Sequence, residues 1–178
     1  HDKLILSLEE DQNMPKEIRF ASFNVCNLAP PGMKYYERTE PYTRAEYDAK
    51  TTWIARQLDL MDADVIGFQE IFSQAALKDV LAKTRLYRQA HHAGFEPDST
   101  VERMTPSVAL VSRIPITGNP VVYNDLPKDL HFPLPGNGRM ITHFTRPVLH
   151  TRLTLPDNKM MHTFVVHLKS KRPDYLQG

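Results

Sequence analysis

Cysteine is almost missing from this chain: Cys26 stands alone among 178 residues, so no intrachain disulfide can form. That excludes a small scaffold stapled by disulfides but does not fix the compartment. No apolar run approaches the roughly 18 residues of a membrane-spanning helix. Charge of one sign is lacking too, since 22 basic and 21 acidic residues leave a net charge of +1. A strong electrostatic binder of nucleic acid normally carries a basic excess or stripe, so that class loses support. An enzyme that clusters a few cations near its site remains compatible with the balance. There is no internal repeat, no low-complexity tract and no Gly-rich phosphate loop of either common pattern. The chain opens on His1 rather than Met, which creates the expectation that something upstream has been removed.

What is present has ordinary globular composition, 41% hydrophobic and 24% charged. The length is that of one domain or a piece of one, sufficient to bury a core. Residues 1–17 are mostly polar and read as a lead-in. Ile18 to Asn24 then reads as a strand, with Phe20 and Phe23 on opposite faces, and Pro30, Pro31 and Gly32 force a loop. Thr43 and Glu46 match a capping box. Behind them Tyr47, Thr51, Ile54, Leu58 and Met61 recur at helical spacing, which predicts a helix over 44–61. Asp64 to Gln69 predicts a strand apolar on both faces, as a sheet covered on both sides requires. A second helix is expected over 73–83 with Ser73 as its cap, and strands over 86–89 and 107–112. Residues 119–147 carry repeated Pro and Gly and read as one long loop. A hairpin is expected from 148–155 and 161–168 around Pro156-Asp157-Asn158. The order points to an α/β (α+β) fold with a mixed sheet or two sheets covered by helices.

Three polar residues close apolar strands: Asn24, Glu70 and His167. A carboxylate just past a buried strand is costly unless a cation, a hydrogen-bond network or water compensates it. A hard dication such as Mg²⁺ takes oxygen ligands and often only one or two carboxylates, which Glu70 with Asn24 nearby would suit. His167 could give or take a proton close to neutral pH. From position alone, Glu70 reads equally as a solvent-facing strand end. Asn24 more often turns a chain than binds a ligand, and a lone histidine at a strand end, as His167 is, is more often a satisfied structural residue.

The wider strings add to this. Residues 18–27 (IRFASFNVCN), 64–71 (DVIGFQEI), 108–116 (VALVSRIPI), 146–153 (RPVLHTRL) and 164–170 (FVVHLKS) follow in this order. Together they resemble the endonuclease/exonuclease/phosphatase family, which includes pancreatic deoxyribonuclease-like nucleases, bacterial sphingomyelinases and inositol-phosphate phosphatases. The resemblance implies a four-layered α/β/β/α sandwich with mainly antiparallel sheets, and hydrolysis of a phosphodiester or phosphomonoester by in-line attack of water. It implies Mg²⁺, or Mn²⁺ in its place, at Glu70 with Asn24, and His167 at the scissile phosphate. Arg113, in the Ser-Arg-x-Pro string, and Lys169 are implied substrate contacts. For Arg113 a structural ion pair is an equal reading, and for Lys169 a solvated surface lysine. His91 and His92 match no family string and read as surface or loop residues.

The family's later strings, an Asp-x-Asn after the HLKS strand and a closing Asp-His pair, are not found beyond that strand, and no earlier segment offers them in a suitable context. The resemblance therefore implies that 18–178 form the N-terminal part of such a domain. The C-terminal part is expected on the same or a separate chain, and this piece alone is expected to be inactive. The implied substrate is a phosphoester, either DNA or a phospholipid headgroup. A sphingomyelinase or inositol-phosphate-type phosphatase, or a non-catalytic interaction module, are the alternatives.

Overall fold

The structure is a computed structural model describing residues 17–36, 39–100, 104–134 and 138–168. Strand β1 (Phe20–Leu28) lies parallel to β2 (Val65–Ile71). Beyond it run β4 (Ser107–Ser112) and then β3 (His91–Gly94), each antiparallel to its neighbour, which completes a four-stranded sheet. Helices α1 (Arg44–Met61) and α2 (Gln74–Lys83) cover one face. A second, three-stranded antiparallel sheet covers the other. Its strands are β5 (Val121–Asp125), β8 (His143–Thr154) and β9 (Met160–Val165), in that order. Two further short strands, β6 (Phe132–Pro133) and β7 (Met140–Ile141), pair with each other. The described residues thus form an α+β sandwich of three layers: helices, mixed sheet, antiparallel sheet.

The two-sided burial of the central strands follows from their alternation. On β2, Ile66 and Phe68 face the helices, and on β4 Ala109 and Val111 do the same. Val65, Val108 and Leu110 point the other way, onto Leu149 and Leu153 of β8 and Val165 of β9. On β1, Phe23 joins the helix side, packing on Phe68 and Trp53 at ring separations of 6.4 and 6.2 Å. The helix stripe is buried at Tyr47, Thr51, Ile54 and Leu58, with Met61 only half-buried at the C-terminal end. Both halves of the capping box form. Thr43 Oγ1 accepts from the Glu46 N–H, and the Glu46 carboxylate accepts from the Thr43 N–H at 2.8 Å. The outer face of the second sheet carries an exposed ladder of rings from its three strands: Tyr123, His150, His162 and Phe164.

Two expectations from the sequence need correction. Residues 86–89 form a turn, because the Thr84 side chain at the end of α2 accepts from the Tyr87 N–H (3.1 Å) and Ala90 N–H bonds back to Tyr87 O. The strand comes later, at His91–Gly94, so His91 and His92 are strand residues, with His92 half-buried against Gln74 (Nε2 to Oε1 2.8 Å). The stretch 119–147 is likewise more than a loop, since it holds β5, a short 3-10 turn at Lys128–Leu130, β6, β7 and the start of β8. Pro147 sits inside β8, where it cannot donate to a ladder. It is tolerated because the register against β5 shifts there, from Tyr123↔Val148 to Asp125↔His143.

Gln74 ties α2 to the sheet. Its Nε2 donates to Phe95 O (2.9 Å) and Ser107 Oγ (3.0 Å) while its backbone N–H reaches the Glu96 carboxylate. A Cβ on Gly94 would run straight into that buried amide. Gly94→Ala is therefore expected to cost about 1–3 kcal/mol, since Gln74 cannot move aside without abandoning buried partners. Chemical denaturation would check this, and a cost below about 0.5 kcal/mol would mean the contact relaxes freely.

Candidate functional site

The site forms where β1 and β2 both break their alternation, at the same end of the sheet. In β2 the register against β4 slips between Gln69 and Ile71, leaving Glu70 as an extra residue. Glu70 takes a left-handed backbone (φ 66), and Ile71 thereby returns to the helix-facing core that Ile66 and Phe68 occupy. In β1 the register slips between Asn24 and Leu28, with Cys26 (φ 52) and Asn27 (φ 62) both left-handed. Here too the parity changes: Phe23 and Val25 face the helices, and so does Leu28. Left-handed backbone costs a non-glycine residue about 1–2 kcal/mol, so three such residues at adjoining strand ends need compensation.

Hydrogen bonds provide it. Asn24 Nδ2 donates to Glu70 Oε1 (2.9 Å), Asn27 N–H donates to Glu70 Oε2 (3.0 Å), and Cys26 N–H donates to Asn24 Oδ1 (2.9 Å). His167, two residues beyond β9, brings its Nε2 to 3.7 Å from Glu70 Oε1. The two side chains are 12% and 22% exposed, so the cluster lies at the floor of the strand ends with one open side. His167 Nδ1 is buried without a hydrogen-bond partner among the described residues. Burial pushes the His167 imidazole below its ordinary value of 6.5. The Arg146 charge adds to this and the Glu70 carboxylate opposes it, so the ring is neutral at pH 7.

The structure therefore brings Asn24, Glu70 and His167 together from three strand ends. It does not bring Arg113 to them. Arg113 follows β4 directly and stands beside the start of β2, six residues or roughly 20 Å of extended strand from Glu70. There its guanidinium grips Asp62 (Nη1 to Oδ1 2.7 Å), the Asp62 carbonyl (3.0 Å) and Asp64 (3.1 Å), and lies over the Tyr87 ring. Its surroundings are those of a structural ion pair rather than a substrate contact. Lys169 lies outside the described residues.

Three contributors escaped the sequence reading. Asn27 acts through its backbone N–H, which no residue type announces. Arg146, within the quoted string 146–153, donates to Leu168 O (3.0 Å) and so reaches the His167 segment. Lys50 reaches the β1 turn from α1, with its Nζ 2.7 Å from Cys26 O. Burial lowers its ammonium's affinity for the proton, partly offset by Cys26, Tyr35 and Glu70.

Among the described residues no group of three or more His, Cys, Asp or Glu is placed to hold a metal. A transition-metal cage is therefore not built from them. A hard cation makes a smaller demand, one carboxylate with water and phosphate oxygens completing its shell. The partly exposed Glu70 carboxylate, fixed on one side by Asn24 and Asn27, fits that demand.

No protein-family model matches the sequence, and no curated protein does. Solved structures do resemble the fold. A functionally unknown conserved protein from Enterococcus faecalis V583 superposes with a TM-score of 0.53 at 13% identity, covering 85% of this chain and 53% of that one. An endonuclease/exonuclease/phosphatase family protein from Leptotrichia buccalis C-1013-b superposes with a TM-score of 0.50 at 13% identity, covering 86% and 54%. At such identity the likeness is one of fold, and this chain spans about half the length of each.

Two outcomes are expected. Arg113→Met should lower Tm by about 2–4 °C, the equivalent of about 1 kcal/mol for a half-exposed ion-pair network. The same substitution should leave any turnover unchanged, and a loss of turnover at unchanged Tm would return Arg113 to the site. His167 contributes a pH dependence of determinate sign. Its folded pKa is depressed, so the unfolded chain takes up a proton that the folded one resists. Stability is complete above 6.5 and falls as pH drops from there through the depressed value. Tm measured from about pH 7 to 5 should decline less steeply in His167→Asn. An unaltered slope would show that His167 does not titrate as described.

Proposed function

We propose that this chain carries part of the site of a metal-dependent phosphoester hydrolase. The observation that supports the reading best is the convergence of Asn24, Glu70 and His167 on one strand-end cluster. They come from distant parts of the chain, and Glu70 itself sits on left-handed backbone. The fold shared with an endonuclease/exonuclease/phosphatase family protein adds to it.

In this reading Glu70 and the neighbouring oxygens hold Mg²⁺ or Mn²⁺. The bound ion supplies charge neutralisation at a phosphate oxygen and at the leaving group. Asn24 keeps one amide N–H on Glu70 and its oxygen on the Cys26 N–H, so the carboxylate is held in rotation and offers its open side. Neutral His167 presents a ring N–H to a phosphate oxygen as negative charge accumulates there. The Arg146 charge beside it disfavours a second proton on the ring and favours an anion nearby. The base that activates water is assigned to none of the described residues.

Glu70→Gln keeps the shape and removes the charge. With bis(p-nitrophenyl) phosphate, plasmid DNA and a sphingomyelin-type lipid assayed side by side, Mg²⁺-dependent turnover of the complete protein should fall at least about a hundredfold on the preferred substrate. Turnover equal to that of the unsubstituted protein would sink the metal assignment. The substrate comparison separates a nuclease from a lipid phosphodiesterase.

A further inference from the structure

Lys50 is enclosed by three separately anchored pieces of the protein. Its stem rises from α1, its Nζ donates to Cys26 O at 2.7 Å, and the same ammonium stands 5.3 Å over the Tyr42 ring. Tyr42 is held in turn, its carbonyl accepting from the Gly32 N–H (3.0 Å) and its ring stacked on Tyr35 at 5.6 Å. A surface lysine on a helix would normally keep its head in water. This one is folded back onto a single carbonyl.

That carbonyl belongs to the same planar peptide unit as the Asn27 N–H. In a trans peptide the C=O and N–H are coplanar and point in opposite directions. One end of the unit is gripped by Lys50, and the other donates to Glu70 Oε2 at 3.0 Å. Fixing the oxygen therefore fixes the direction of the hydrogen. A cation on the oxygen also polarises the unit and strengthens its N–H as a donor. Without that grip, two successive left-handed residues would have little reason to persist.

We propose that Lys50 is a positioning residue for Glu70, acting through the Cys26–Asn27 peptide unit. The kinetic consequence rests on the hydrolase reading, whereas the structural consequence does not, so the two are tested separately. In the full chain, Lys50→Met removes the donor at nearly constant length and Lys50→Arg keeps one. Amide hydrogen exchange of Lys50→Met should show the Asn27 N–H accelerated about tenfold or more, while amides in the middle of β2 and β4 stay as protected as before. Lys50→Arg should recover most of the Asn27 protection. Unchanged Asn27 exchange would overturn the proposal. So would loss of the fold, or acceleration spread evenly over β1, β2 and β4, because either would make Lys50 a general stabiliser.

The second arm uses bis(p-nitrophenyl) phosphate with Mg²⁺. Lys50→Met should lower kcat about tenfold with KM within about twofold, and Lys50→Arg should restore most of it. Full activity in Lys50→Met would overturn the proposal. This arm uses the complete protein, with the C-terminal part present; absence of turnover in that unsubstituted protein would count against the hydrolase reading, and the amide measurement would still decide the role of Lys50.

Discussion

A strand buried on both faces has no position for a carboxylate, and β2 gains one by carrying an extra residue. The insertion at Glu70 does two things at once. It releases one side chain from the alternation, and it restores Ile71 to the helix-facing core. The neighbouring strand β1 makes the matching adjustment at Cys26 and Asn27, so the two parallel strands end in irregularities that satisfy each other. The Asn27–Glu70 hydrogen bond is the join. The exit of β1 toward the loop after Leu28, the seating of Phe72 against Leu28 O, and the approach of His167 all depend on those two bends being in register.

The ends of the central sheet divide the chemistry. At the start of β2, Arg113 is matched by Asp62 and Asp64 with short, direct ion pairs, and among the described residues its Nε is the one buried side-chain atom there without a partner. At the far end the charges are looser. Glu70 and His167 are 3.7 Å apart, beyond hydrogen-bond range, and a buried imidazole nitrogen has no partner among the described residues. A satisfied network specifies structure, whereas an incompletely satisfied one at strand ends is where an added ligand gains most.

The elements that announced themselves did so through burial period. Helix α1 is legible because Tyr47, Thr51, Ile54 and Leu58 must share a face, and β2 and β4 because both of their faces are covered. The shift of β3 from 86–89 to His91–Gly94 was not legible, since it turns on one hydroxyl, Thr84, taking an N–H from Tyr87. Nor was the strand content of 119–147, because a proline such as Pro147 signals a break unless the partner strand is known to slip beside it. At the site, Asn24, Glu70 and His167 could be singled out as polar residues closing apolar strands. Arg113 was implied by its Ser-Arg-x-Pro string, and the antiparallel pairing of β4 with β2 reveals that it lies at the opposite end. Asn27 and Lys50 contribute through one peptide unit, a kind of contact that leaves no mark in residue identity.

Gln74 and Gly94 lie twenty positions apart in the chain and occupy one volume, the amide of one filling the space where a side chain on the other would go. Neither position can drift alone. A larger residue at 94 is admissible only after 74 has shortened, and a shorter residue at 74 abandons Phe95 O, Ser107 and His92 together. Any tolerated pair of substitutions therefore has an order, shortening at 74 before enlargement at 94.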